Sequence, residues 1–113
     1  MKNNYKIPWH IRQYVKKELM DYKKNRKLLD KLISDYSEYT INTRSIALIK
    51  LRVMQIEKVL SKLNKEDKEA AEIIFFYHYT QSGAEVAKGL SKGAYYNAMN
   101  KVIYLTAQEM ELI

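Results

Sequence analysis

Cysteine is absent from this 113-residue chain, which excludes disulfides and thiolate metal sites. Proline occurs once and glycine three times, so few turns are obligatory and long helices are favoured. Long apolar runs are missing too. The longest, Ile73 to Tyr77, is too short for a secretory leader or a membrane span, and a cytoplasmic location without membrane attachment is the expectation. His10 and His78 have no helix-spaced ligand partner, so one exposed and one core histidine are expected rather than a zinc site. There is no Gly-rich phosphate loop, no H-E-x-x-H and no nucleophile elbow. Glu66, Asp67, Glu69 and Glu72 gather at a helix start, where dipole complementarity accounts for them. The expectation is no catalytic site, no metal and no cofactor.

What is present describes a globular protein: 47% hydrophobic and 29% charged residues. Ten tyrosines supply amphipathic rings suited to packing, base stacking or a partner surface. The net charge is +7 and unevenly spread. Residues 1–36 hold ten Lys/Arg against four Asp/Glu, whereas 37–113 hold ten against nine. Such asymmetry fits a polyanion partner, and equally a solvated helix face.

The periodicity predicts five helices and no sheet. Pro8 suits the start of the first, which then runs without Gly or Pro to about Tyr36. Val15, Tyr22, Leu29 and Tyr36 form a seven-residue seam, widened by Ile11, Leu19, Leu32 and Ile33. Lys16, Lys17, Lys23, Lys24, Lys27 and Lys31 fall mainly on the other side. After a polar connector, Ser37 to Thr43, a second helix over about 43–63 carries Ile46, Ile49, Val53, Ile56, Leu60 and Leu63 at heptad spacing. Ala47, Leu48, Leu51, Met54 and Val59 make its remaining surface apolar, so either the C-terminal unit or a second copy is expected to cover it. The two seams imply an antiparallel hairpin over 1–63, coupled compactly or loosely to a second unit over 64–113.

That second unit starts with Asn64 as a helix cap and Asp67 in the first turn, and its first helix is expected to reach about Tyr79. Ser82-Gly83-Ala84-Glu85 fits a capping box opening a short helix to Lys88, braced by Ala84 and Ala87. Gly89 can supply the left-handed residue that ends it. Ser91 can cap a last helix over about 92–112, with Tyr95, Ala98, Val102, Leu105 and Leu112 inward and Met99, Ile103 and Met110 beside them. This order, with a tight turn between two capped helices, is that of a helix-turn-helix. The outward residues have the chemistry of a groove reader. Asn97 and Asn100 can pair with adenine, Lys101 can meet guanine or phosphate, and Tyr96 and Tyr104 can touch phosphate or thymine methyl. Lys88, Ser91 and Lys92 complete the candidate DNA-binding set at the turn.

Glu85-Val86-Ala87 followed by Leu90-Ser91-Lys92-Gly93-Ala94-Tyr95-Tyr96 resembles the helix-turn-helix of phage transcription regulators of the ArpU and RinA type, which is similar in turn to region 4 of bacterial sigma factors. The resemblance covers about residues 64–110, and the opening Ile7-Pro8-Trp9 of the basic hairpin is similar to members of that group as well. The stretch Ala87-Lys88-Gly89-Leu90-Ser91 is about two residues shorter than the family pattern. The resemblance implies an all-α, sequence-specific regulator of phage or prophage type, with double-stranded DNA as partner and RNA polymerase as a second; the apolar surface of the second helix makes a homodimer the expected form. Residues 82–113 have equal numbers of lysine and glutamate, so affinity must draw on charge elsewhere. Two other readings stay open: a packaging component like a small terminase subunit, and a helical protein–protein adaptor.

Overall fold

The computed structural model describes residues 5–35 and 43–113, and among those residues all regular structure is helical. The elements are α1 (Trp9–Met20), α2 (Tyr22–Asp35), α3 (Thr43–Lys62), α4 (Lys65–Ala71) with a π-helical continuation (Glu72–Phe76), α5 (Gln81–Lys88) and α6 (Lys92–Glu109). Tyr36 and the connector expected over 37–42 lie outside the described residues. No described helix is long and apolar enough to cross a membrane.

Among the described residues six α-helices appear where five were expected, because the first is interrupted at Asp21. Its φ and ψ of −90° and 0° depart from helical values, yet the ladder persists. The Asp21 N–H reaches the Lys17 carbonyl at 2.9 Å, and the Asp21 carbonyl accepts the Asn25 N–H at 2.8 Å. The break separates two partners. α1 packs on α6 and the π-helical turn, whereas α2 packs on α3. Val15 and Leu19 therefore enter the main core, and the expected straight seam from Val15 to Leu29 against α3 is corrected. Tyr22 at the start of α2 donates to Glu57 near the end of α3 at 2.7 Å, so the α2–α3 pair runs in opposite directions. Leu29, Val53 and Ile56 are buried.

The π-helical turn has a sequence cause. Ile73 to Tyr77 is apolar at every position, and a regular α-helix would rotate part of it into water. The wider turn, closed by the Tyr77 N–H on the Glu72 carbonyl at 2.9 Å, keeps Ile74 and Phe75 both buried beside Ala70 and Ala71. His78 then takes a left-handed φ of 56°, and the Tyr79 N–H bonds back to the Ile73 carbonyl at 3.1 Å.

The helix α6 lies at the centre. Tyr95, Ala98, Met99, Val102, Ile103, Thr106 and Ala107 are buried along it, against α1, α3, α4 and α5. Among the described residues Thr106 is the buried polar one, and its hydroxyl donates to the Val102 carbonyl at 2.7 Å. One cluster gathers Val15, Leu19, Ile56, Leu60, Phe75 and Ala84 around it, so the core takes residues from both sides of position 63. Each fully buried large side chain, such as Phe75 or Leu19, contributes about 1.5–3 kcal/mol by leaving water. The radius of gyration is 15.4 Å with extents of 51 × 31 × 23 Å, against about 13 Å for a compact domain of this length. On α3, Val59 is buried, while Leu48, Leu51 and Met54 stand about half exposed.

Candidate nucleic-acid interface

The cap of the short helix α5 lies two residues before the expected one, Ser82. Thr80, extended at φ −71° and ψ 166°, is its cap, and its hydroxyl accepts the Gly83 N–H at 3.1 Å. A Cβ on Gly83 would stand 3.1 Å from that same oxygen, so glycine makes room for the cap. Ser82 is exposed within the helix. Ala84 is fully buried as the expected brace, but Ala87 is exposed. Val86 is 88% exposed, facing away from the core.

The link between α5 and α6 follows the sequence closely. Gly89 is left-handed at φ 67°, with open space where a Cβ would project. Its N–H bonds to the Glu85 carbonyl at 3.1 Å, and the Leu90 N–H to the Ala84 carbonyl at 3.2 Å. Leu90 tucks against the core. Ser91 caps α6, accepting the Ala94 N–H at 3.2 Å.

The candidate residues fall into two groups. Lys88, Ser91, Lys92, Tyr96 and Asn97 are exposed, and Asn100 is half-buried beyond them. They occupy the turn and the first two and a half turns of α6. Lys101 and Tyr104 lie behind that strip and are engaged with the protein itself. The Lys101 ammonium bonds to the Asp67 carboxylate at 2.6 Å, and this bond chiefly raises the lysine pKa above its ordinary value. The Tyr104 ring lies 5.1 Å from that of Tyr5, and the Tyr104 hydroxyl accepts from the Gln108 amide at 3.3 Å. Helix α4 and Tyr5 thus cover the rear half of the outward face that spacing alone had placed in one row.

Several contacts that hold this surface were not readable from the sequence. Tyr95 donates its buried hydroxyl to the Tyr79 carbonyl at 2.8 Å, fixing the segment before α5 to α6. Burial raises the Tyr95 pKa, with Tyr96 adding to it. The Lys88 ammonium stands 5.7 Å above the Tyr79 ring. His78 and His10 are both exposed, so neither is the one core histidine expected, and the His78 Nε2 lies 3.0 Å from the Met20 carbonyl. No periodicity reports such a bond, because its partners are 58 positions apart.

Among the described residues, Arg26 pairs with Asp30 and Glu57, and Lys58 and Lys62 pair with Glu109. Lys16, Lys17, Lys23, Lys24, Lys27, Lys88 and Lys92 make no salt bridge there. Comparison with family models, curated proteins and solved structures returns no match to this chain.

Proposed function

We infer that this chain is a sequence-specific DNA-binding transcription regulator, reading duplex DNA with the first turns of α6. One observation carries the reading. A capped helix follows a left-handed glycine turn and presents Lys92, Tyr96, Asn97 and Asn100 outward, with Lys88 beside them. Asparagine suits adenine edges in the major groove, and the helix N-terminus with its lysines suits phosphates. The phage or prophage setting and the role of RNA polymerase rest on the resemblance of Glu85-Val86-Ala87 and Ser91 to Tyr96 alone. With Lys101 held by Asp67, Lys88 and Lys92 are the lysines of the site that can meet phosphate.

A panel of duplexes tests this. Asn100→Ala is expected to cost about 1–3 kcal/mol on the preferred sequence and to relax its selectivity. Lys92→Ala is expected to weaken all duplexes alike and to lower the salt slope by about one unit. If both variants bind every duplex as the parent does, α6 is not a reader. A second reading, a helical protein–protein adaptor, has its own observation in the half-exposed Leu48, Leu51 and Met54 on α3. It predicts no salt-dependent shift of any duplex.

A further inference from the structure

The reading helix region has no net charge of its own, since residues 82–113 balance three lysines against three glutamates. Nonspecific affinity for a polyanion scales with the number of phosphates neutralised. Cations beyond Lys88 and Lys92 must therefore come from elsewhere, and the tertiary structure brings one group of them to the segment that precedes α5. His78 holds the Met20 carbonyl at 3.0 Å, so residues 77–80 lie on the junction of α1 and α2. Lys16 and Lys17 line the cleft of about 340 Å³ at this junction, together with Met20, Asp21 and His78. From the other side of the junction, the Lys23 ammonium sits 5.6 Å over the Phe76 ring. The same segment then runs through Tyr79, bonded to Tyr95 of α6, into the Thr80 cap of α5.

We propose that Lys16 and Lys17, beside His78 at the α1–α2 junction, and Lys23, over Phe76 on its other side, form a second DNA contact that grips the phosphate backbone beside the groove read by α6. The proposal rests on the DNA reading above and names the part of the molecule that supplies its affinity. None of the three lysines makes a salt bridge among the described residues, so none has to break an ion pair to meet a phosphate, and Lys23 gives up only its place over the Phe76 ring. Asp21 is the one carboxylate beside Lys16 and Lys17, which leaves that cleft cationic; Lys23 shares its own cleft with Lys68, Glu72 and Glu57, and Glu57 is already held by Tyr22 and Arg26. The loop is fixed at both ends, to Met20 and to Tyr95. The lysines and the reader are thereby held in a set relation, and ordering them on the duplex costs little chain entropy. Phosphate contacts of this kind position a protein and carry no sequence information.

The experiment compares the intact parent chain with two triple variants of equal charge change. One is Lys16→Gln, Lys17→Gln, Lys23→Gln; the control is Lys50→Gln, Lys58→Gln, Lys62→Gln on α3. Circular dichroism verifies that all three chains are folded. Binding to the preferred duplex and to a scrambled one is then measured across about 50 to 200 mM salt. Three lost phosphate contacts should flatten the slope by roughly 2.7 units, making the variant about 40-fold less sensitive over that range. The preference for one sequence over the other should be retained. The control should keep a slope close to that of the parent. A parent slope retained by the junction variant, or an equal drop in the control, overturns the proposal while leaving the DNA reading standing. A parent that binds no duplex at any salt overturns both.

Discussion

The α2–α3 arm and the α6-centred core are both helical and amphipathic, yet they use their surfaces differently. Around α6, four other helical elements converge, and most positions from Tyr95 to Ala107 are buried or half-buried. Along α2, Lys23, Lys24, Arg26, Lys27 and Leu28 are exposed, with Leu29 buried. Stability is therefore expected to reside in the core, and solvent-facing charge in the arm. The junction at Asp21 joins the two regimes: α1 belongs to the core and α2 to the arm. A single helix could not serve both, because its partners lie in different directions.

The comparison breaks most readily at Phe75, which is fully buried at the π-helical turn. Phe75→Ala should destabilise by about 3–5 kcal/mol in denaturant titration. A loss no larger than that of an exposed arm lysine, about 0.5 kcal/mol or less, would mean that the core is misplaced. Val53→Asp probes the arm with a buried, unpaired charge, at a cost of about 3 kcal/mol or more. Unfolding of Val53→Asp at the parent temperature would show that α2 and α3 do not pack.

Smaller effects sharpen the turn between α5 and α6. Gly89→Ala meets no atom within 4 Å, so its cost is the left-handed backbone alone, about 1–2 kcal/mol. Ser91→Ala removes the bond to the Ala94 N–H and should cost about 1 kcal/mol. Thermal melting checks both. A Gly89→Ala chain as stable as the parent would remove the left-handed turn from the account.

The smallest expected effect is a pH dependence in the arm. Tyr22 is pushed up to about 12, first by burial and then by its hydrogen bond to Glu57. A folded-state value above the unfolded one means that the folded chain retains the phenolic proton more tightly. The associated stability is fully present below about pH 10 and is lost as pH rises toward 12. In Tyr22→Phe, the part of the alkaline loss between those values that belongs to this group should vanish. An unchanged alkaline limb in that variant would mean that the Tyr22–Glu57 bond does not form in solution.

The sequence by itself determined the local events. Asn64, Gly89 and Ser91 perform the roles their chemistry dictates, because capping and left-handed turns need only neighbouring backbone. Heptad spacing likewise gave α3 its inward Val53, Ile56 and Leu60. Even there, Ser82 looked a better cap than Thr80, since both residue types suit the position and only the path of the chain chooses between them. Tertiary structure alone decided the break at Asp21, the π-helical turn through Ile74 and Phe75, and the bond from the Tyr95 hydroxyl to Tyr79. It also decided which outward residues of α6 meet solvent. Asn97 and Lys101 are one turn apart and share an outer side by periodicity, but Asp67, 34 positions away from Lys101, claims its ammonium. A 3.6-residue repeat fixes the direction in which a side chain leaves its helix, whereas what stands in that direction is set by elements distant in the chain.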